Sequence, residues 1–254
     1  MPSHDRWFDK WNNNIWVNEL LIRVTNRCNE RCSHCCFRSG PECVGQLSTQ
    51  DCELLNVWSP SRVNINTMGG ELTILDDYPE MLMSLASGRK KTAIVTNGQW
   101  CYDKQATQKF LASVDAVCGV CEEVLVGISN DKWHQKFGRR ALRRFREHGS
   151  SAILIQGPEV SDDKLLPIGR AWDNGLAGKV VEACCGCCQE TGQLTVIETG
   201  MITLCPLGYF PWKHFSDVSY DEAKEHIWKW RAKQLDAGMD CFSCMEQDKK
   251  SLPK

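Results

Sequence analysis

Cys28, Cys32 and Cys35 fall at intervals of four and three residues in the stretch RVTNRCNERCSHCCFRSGPEC (23–43), with Cys36 and Cys43 beside them. Three thiolates so placed can hold three irons of a cubane cluster, leaving a fourth iron without a protein ligand and open to a small molecule. A structural zinc ion wants four protein ligands, so a zinc reading must recruit Cys36, Cys43 or His34. The chain carries sixteen cysteines in 254 residues. It shows neither a secretory leader pattern nor an apolar stretch long enough for a bilayer, so it reads as a cytoplasmic protein with no membrane partner. In a reducing compartment such an excess of cysteine points to metal or redox chemistry rather than to a disulfide framework. A formal net charge of −2 gives no general attraction to nucleic acid.

Something must carry those thiols, and the periodicity indicates what. Short β-branched runs at 20–25, 62–67, 92–97, 123–129, 151–157 and 179–183 alternate with segments of helical spacing at 48–59, 78–88, 102–114 and 137–149. Ser48 or Thr49 reads as an N-cap, and Gly88 and Gly149 as stops. Phe137, Ala141, Leu142 and Phe145 give the arginine-rich segment 137–149 an apolar face, so its charges read as a solvated surface. Five or six β/α units over 20–183 make a parallel α/β sheet, in which chemistry collects in loops after the carboxyl ends of strands. The cysteine stretch follows the first strand. Beyond residue 183 the pattern changes: QLTVI and MITLC flank ETG as a β-hairpin, an amphipathic helix covers 219–238, and CFSC closes at 241–244. The expected division is a barrel-like domain over 1–183 and a smaller module over 184–254.

The CxxxCxxC spacing resembles the signature of radical S-adenosylmethionine (radical SAM) enzymes, and other segments agree with it in chain order. Gly69, Gly70 and Glu71 after the second strand look like the family's GGE segment, which meets the methionine end of S-adenosylmethionine. Thr96 and Asn97 begin a TNG after the third strand, and Ser129 and Asn130 after the fourth stand where family members contact the ribose. The resemblance implies a partial (β/α)6 barrel, similar to a TIM barrel. It further implies a catalytic 4Fe–4S cluster on Cys28, Cys32 and Cys35, S-adenosylmethionine as cofactor, and His34 in the adenine pocket. Arg170, in PIGRA (167–171), is the remaining cofactor-binding candidate.

A second cysteine set, Cys184, Cys185, Cys187, Cys188, Cys205, Cys241 and Cys244, is similar to the twitch module of some radical SAM enzymes, a hairpin and helix holding one auxiliary 4Fe–4S cluster. The resemblance assigns Cys205, Cys241 and Cys244 as ligands, with Cys187 and Cys188 leading for the fourth. Four-thiolate zinc sites built from CxxC pairs are the competing reading. Cys36, Cys43, Cys52, Cys101, Cys118 and Cys121 match no motif and read as buried thiols.

The implied activity is reductive cleavage of S-adenosylmethionine and abstraction of a substrate hydrogen by a 5′-deoxyadenosyl radical, with flavodoxin or ferredoxin as the external reductant. Oxidation or rearrangement of a small polar molecule is the first expectation, and modification of a peptide, nucleoside or nucleic acid the alternative. A non-catalytic zinc or iron–sulfur binding module is the reading from another class.

Overall fold

The structure is a computed structural model and describes residues 19–156, 169–176, 193–205 and 210–237. Five β/α units come first. Strands β1 (Glu19–Thr25), β2 (Asn64–Gly69), β3 (Lys91–Thr96), β4 (Glu123–Ile128) and β5 (Ile153–Gln156) pair in sequence order and in parallel. Parallel neighbours need a crossover, and here helices supply it: α1 (Thr49–Trp58), α2 (Tyr78–Ala86), α3 (Lys104–Cys118) and α4 (Gln135–His148). All five strands therefore end on one edge of the sheet, where the connecting loops must sit.

Local chemistry explains the helix limits. Ser48 caps α1 in a reciprocal box with Asp51, and Asp103 caps α3 by accepting from the Ala106 amide. Gly149 ends α4 at a φ of 70°, a left-handed turn that a residue with a Cβ resists. Alternate strand residues Leu20, Ile22, Val24, Ile65, Ile94, Val124, Val126 and Ile128 join Leu55, Met81, Leu82, Leu85, Phe110, Val114 and Phe145 of the helices in one core. Ala141, Leu142 and Phe145 of α4 are buried, and Phe137 is 8% exposed, as the apolar face of that helix requires. Cys52, Cys101 and Cys121 are buried as well; Cys52 lies within this core on α1, so its reading as a packed thiol holds.

The hairpin is present as β6 (Gln193–Val196) and β7 (Met201–Thr203), followed by β8 (Pro211–His214), which the sequence pattern did not announce. It is not set apart from the first sheet. Strand β6 pairs in parallel with β1, from Glu19↔Gln193 to Ile22↔Val196, so the order is β5-β4-β3-β2-β1-β6-β7-β8. Helix α6 (Tyr220–Asp236) supports the hairpin: Arg231 is 4% exposed and donates to the Leu204 carbonyl at 3.2 Å and the Gln193 carbonyl at 2.7 Å. Between β5 and β6 the described chain contains the short helix α5 (Gly169–Asp173). The strand expected at 179–183 lies outside the described residues. Among the described residues no helix is long and apolar enough to cross a membrane.

Candidate functional site

The loop after β1 carries Cys28, Cys32 and Cys35, half-buried and without disulfides. Two neighbouring elements hold its backbone, and a third braces the strand before it. From β2, the Gly70 amide donates to the Thr25 carbonyl at 2.8 Å and the Glu71 amide to the Arg27 carbonyl at 2.9 Å. Gly70 has no room for a side chain, because a Cβ would stand 1.9 Å from the Arg27 carbonyl oxygen. The glycine pair thus serves the approach of the cysteine loop itself.

From α5, the Arg170 amide donates to the Cys35 carbonyl at 2.9 Å and its guanidinium to the Ser39 carbonyl. Gly169 makes this contact at a φ of 56°, with a Cβ excluded 2.3 Å from the Cys35 carbonyl oxygen. Asp173 pairs with Arg38 at 2.7 Å, and Asn174 donates to the Ser33 carbonyl at 2.9 Å. From the hairpin, Glu198 forms a two-pronged ion pair with Arg23 of β1, whose guanidinium carbon lies 5.7 Å from the centre of the Phe37 ring.

Glu71 is 1% exposed and ties β2 to β3. Its carboxylate accepts from the Thr73 hydroxyl at 2.7 Å, the Thr96 hydroxyl at 2.8 Å and the Asn97 amide at 2.7 Å. Burial pushes this carboxyl up, and those donors pull against it. Asn97 in turn gives its side-chain amide to Asn29 at 2.7 Å, with the Cys28 sulfur 3.9 Å away.

The fourth wall is the turn after β4. Asp131 accepts from the Trp133 amide at 2.9 Å and from His134 Nδ1 at 2.8 Å, and His134 Nε2 lies 3.2 Å from the Cys32 sulfur. Trp133 stacks on His34 with ring centres 4.1 Å apart. Burial pushes the Asp131 carboxyl up, but the bonds and charge from His134 outweigh it and hold the group below its ordinary value. Burial also lowers His34, which Asp131 partly opposes.

The chain also has relatives. YydG of Bacillus subtilis strain 168, named a putative peptide biosynthesis protein, is 24% identical over 139 residues, 53% of this chain and 42% of its own. AlbA of the same organism, named for biosynthesis of the antilisterial bacteriocin subtilosin, is 27% identical over 125 residues, 47% of this chain and 26% of its own. The GTP 3′,8-cyclase of Synechococcus sp. strain CC9902 is 26% identical over 200 residues, 64% of this chain and 54% of its own. These relatives are radical SAM enzymes. The chain is similar in sequence to radical S-adenosylmethionine enzymes over part of its length.

The chain spans less than half the length of YydG and of AlbA, and no protein-family model matches it. Its fold is shared with two solved structures. BtrN in complex with AdoMet and 2-DOIA has a TM-score of 0.51 at 13% identity, over 86% of this chain and 87% of that one. The anSMEcpe structure with bound AdoMet and the Cp18Cys peptide has a TM-score of 0.52 at 13% identity, over 83% and 82%. The partial-barrel architecture expected from the motif order is therefore the architecture found.

The radical SAM cofactors can be tested against the residues present. The three loop thiols lie within electrostatic reach of one another; burial pushes Cys28 up to about 11 and Cys32 higher still. A bound cluster would take all three as thiolates, which is the donor set three irons need. Around them, buried atoms of His34 (Nδ1), Asn29 (Nδ2), Asn130 (Oδ1) and Arg170 (Nε) have no protein partner, and such groups call for a ligand or water. The site fits both groups. Glu30, Cys32 and His134 also bring one oxygen, one sulfur and one nitrogen within 4.8 Å of one another, a set a mononuclear ion could use.

The structure thus gathers His34, Gly69, Gly70, Glu71, Asn97 and Arg170 at the loop, with Thr96 bonded to Glu71 and Ser129 held by its amide on the Thr96 carbonyl at 3.0 Å; Asn130 directly precedes the turn of Asp131 and His134 that reaches Cys32. Cys205 is separate in the chain, buried just after β7, where its carbonyl accepts from the Thr203 hydroxyl at 2.9 Å. Cys187, Cys188, Cys241 and Cys244, like Cys184 and Cys185, lie outside the described residues. Sequence reading passed over Asp131, Trp133, His134, Asp173 and Asn174. The run NDKWH directly after a strand was the available signal, since an Asp three residues before a His at a strand's carboxyl end is a ready-made orienting pair.

Proposed function

We propose that this chain is the catalytic part of a radical SAM enzyme that takes a hydrogen atom from an unactivated carbon of its substrate. The observation that carries the reading is the loop of Cys28, Cys32 and Cys35 clamped between GGE, TNG and the turn after β4. When bound there, the cluster supplies one electron that cleaves S-adenosylmethionine and yields the radical that abstracts hydrogen. Cys28, Cys32 and Cys35 would hold three irons. Glu71 fixes the turn after β2, so the backbone groups of Gly69 and Gly70 keep one orientation. Asn130 and His34 offer unpartnered polar atoms for the sugar and base, and Trp133 over His34 excludes water from that side. Low-potential electrons come from an external donor of the flavodoxin or ferredoxin kind.

A peptide is the substrate class best supported, because YydG is named for peptide biosynthesis. A small polar molecule is the second reading, and the GTP 3′,8-cyclase relative favours it. An auxiliary cluster on Cys205, Cys241, Cys244 and one of Cys187 and Cys188, in a module over 184–254 beside a barrel domain over 1–183, completes the proposal. To test the substrate class, cells of the source organism are grown on deuterated amino acids and their extract is divided into peptide and small-molecule fractions. Reduced enzyme given the peptide fraction should return deuterated 5′-deoxyadenosine. Deuterium arriving only from the small-molecule fraction would reject the peptide.

A further inference from the structure

We propose that the face of strands β3, β4 and β5 turned away from the helices seats an aliphatic side chain of a peptide substrate, on the residue that gives up its hydrogen, and that Gly127 leaves the room for it. The inference rests on the reading of this site as one that takes hydrogen from a peptide. Ile94, Val124, Val126 and Ile128 join the core with the helices, so the strand residues between them face the other way. Register sets Val95 beside Gly127 and Gly127 beside Ile155; one step back it sets Ala93 beside Leu125 and Leu125 beside Ile153. Val95, Ile153 and Ile155 are 43%, 52% and 43% exposed. Large apolar side chains left open together on one face are a patch that wants a partner, unlike apolar residues scattered singly.

Gly127 is the residue of this patch that its own surroundings do not demand. Its φ lies outside the left-handed region, and a Cβ there would stand 3.7 Å from Val95 Cγ2 and 3.8 Å from the Ile94 carbonyl oxygen, which are ordinary contacts. A glycine weakens a strand interior and often marks the close approach of a ligand. Here the missing side chain leaves a notch between Val95 and Ile155. The notch adjoins the cofactor loops: Val95 stands two residues before Asn97, and Gly127 two before Ser129, whose amide is bonded to the Thr96 carbonyl. Charge selects the occupant. Among the described residues of β3, β4 and β5 on this face, the charged ones are Lys91 and Glu123, which lie at the opposite strand ends and pair with each other at 2.9 Å. Across the sheet, Arg23 of β1 is taken by Glu198. A phosphate or carboxylate finds no open partner in the notch, whereas an aliphatic group buries apolar surface there on both sides.

The test labels one amino acid at a time. Cells of the source organism are fed a single deuterated amino acid, and the peptide fraction of each culture is given to the reconstituted, reduced chain with S-adenosylmethionine. 5′-Deoxyadenosine should carry deuterium when the labelled residue is valine, leucine or isoleucine. Gly127→Leu fills the notch and Ile155→Asp sets a charge beside it; each should lower that transfer about tenfold or more, at the urea midpoint of the parent. Deuterium arriving only from other residues overturns the inference and leaves the peptide reading standing. Transfer unchanged in both variants overturns it too. So does a urea midpoint well below the parent's in both, since a segment of this chain would then fill the face. Deuterium from no peptide fraction rejects the peptide reading, and the inference with it.

Discussion

The Glu71 carboxylate takes donors from Thr73, Thr96 and Asn97 while almost fully buried. Replacing it with Gln turns one acceptor oxygen into an amide that faces those donors. Glu71→Gln should cost about 2–3 kcal/mol of stability, read from the urea midpoint, because bonds to a charged group and the orphaned donors are both lost. Gly70→Ala acts on the loop instead: its methyl meets the Arg27 carbonyl. Iron bound after reconstitution should fall sharply in that variant, with the far-ultraviolet dichroism of the sheet retained. The cysteine spacing and the GGE and TNG turns were legible in the sequence because each is a local pattern at the end of one strand. The His134–Cys32 contact was not, since it joins residues 102 positions apart and depends on β1 and β4 ending on the same edge of the sheet.

Helices and strands were legible for a similar reason, and their neighbours were not. The 3.6-residue pattern and the Ser48 cap place α1 correctly, and Ser48→Ala should destabilise the fold by about 1 kcal/mol in thermal or urea unfolding. The ETG turn between QLTVI and MITLC also finds β6 and β7. It says nothing about which strand they join, since parallel pairing with β1 depends on a register between residues as far apart as Glu19 and Gln193. The bond that makes this junction matter is the Arg23–Glu198 pair, with both side chains about one-tenth exposed. Removing one partner leaves a buried charge, so Glu198→Ala should cost about 3–5 kcal/mol. A loss within a few tenths of a kcal/mol of zero would mean that the hairpin does not brace the cysteine loop.

At the scale of the molecule, one sheet connects the cysteine loop after β1 to the hairpin before Cys205. If Cys205 ligates a separate auxiliary cluster, Cys205→Ser should remove the iron of about one 4Fe–4S cluster per chain, with the S-adenosylmethionine-responsive EPR signal intact. Disappearance of that signal as well would mean that the two cysteine sets serve a single centre. The central claim is that Cys28, Cys32 and Cys35 hold the cluster that cleaves S-adenosylmethionine. Its most direct measurement is formation of 5′-deoxyadenosine by the anaerobically reconstituted, reduced chain beside its Cys32→Ala variant, with iron and zinc determined on the same samples. The account predicts iron and 5′-deoxyadenosine from the parent chain and no 5′-deoxyadenosine from the variant. Zinc in place of iron, or equal cleavage by both, would contradict it.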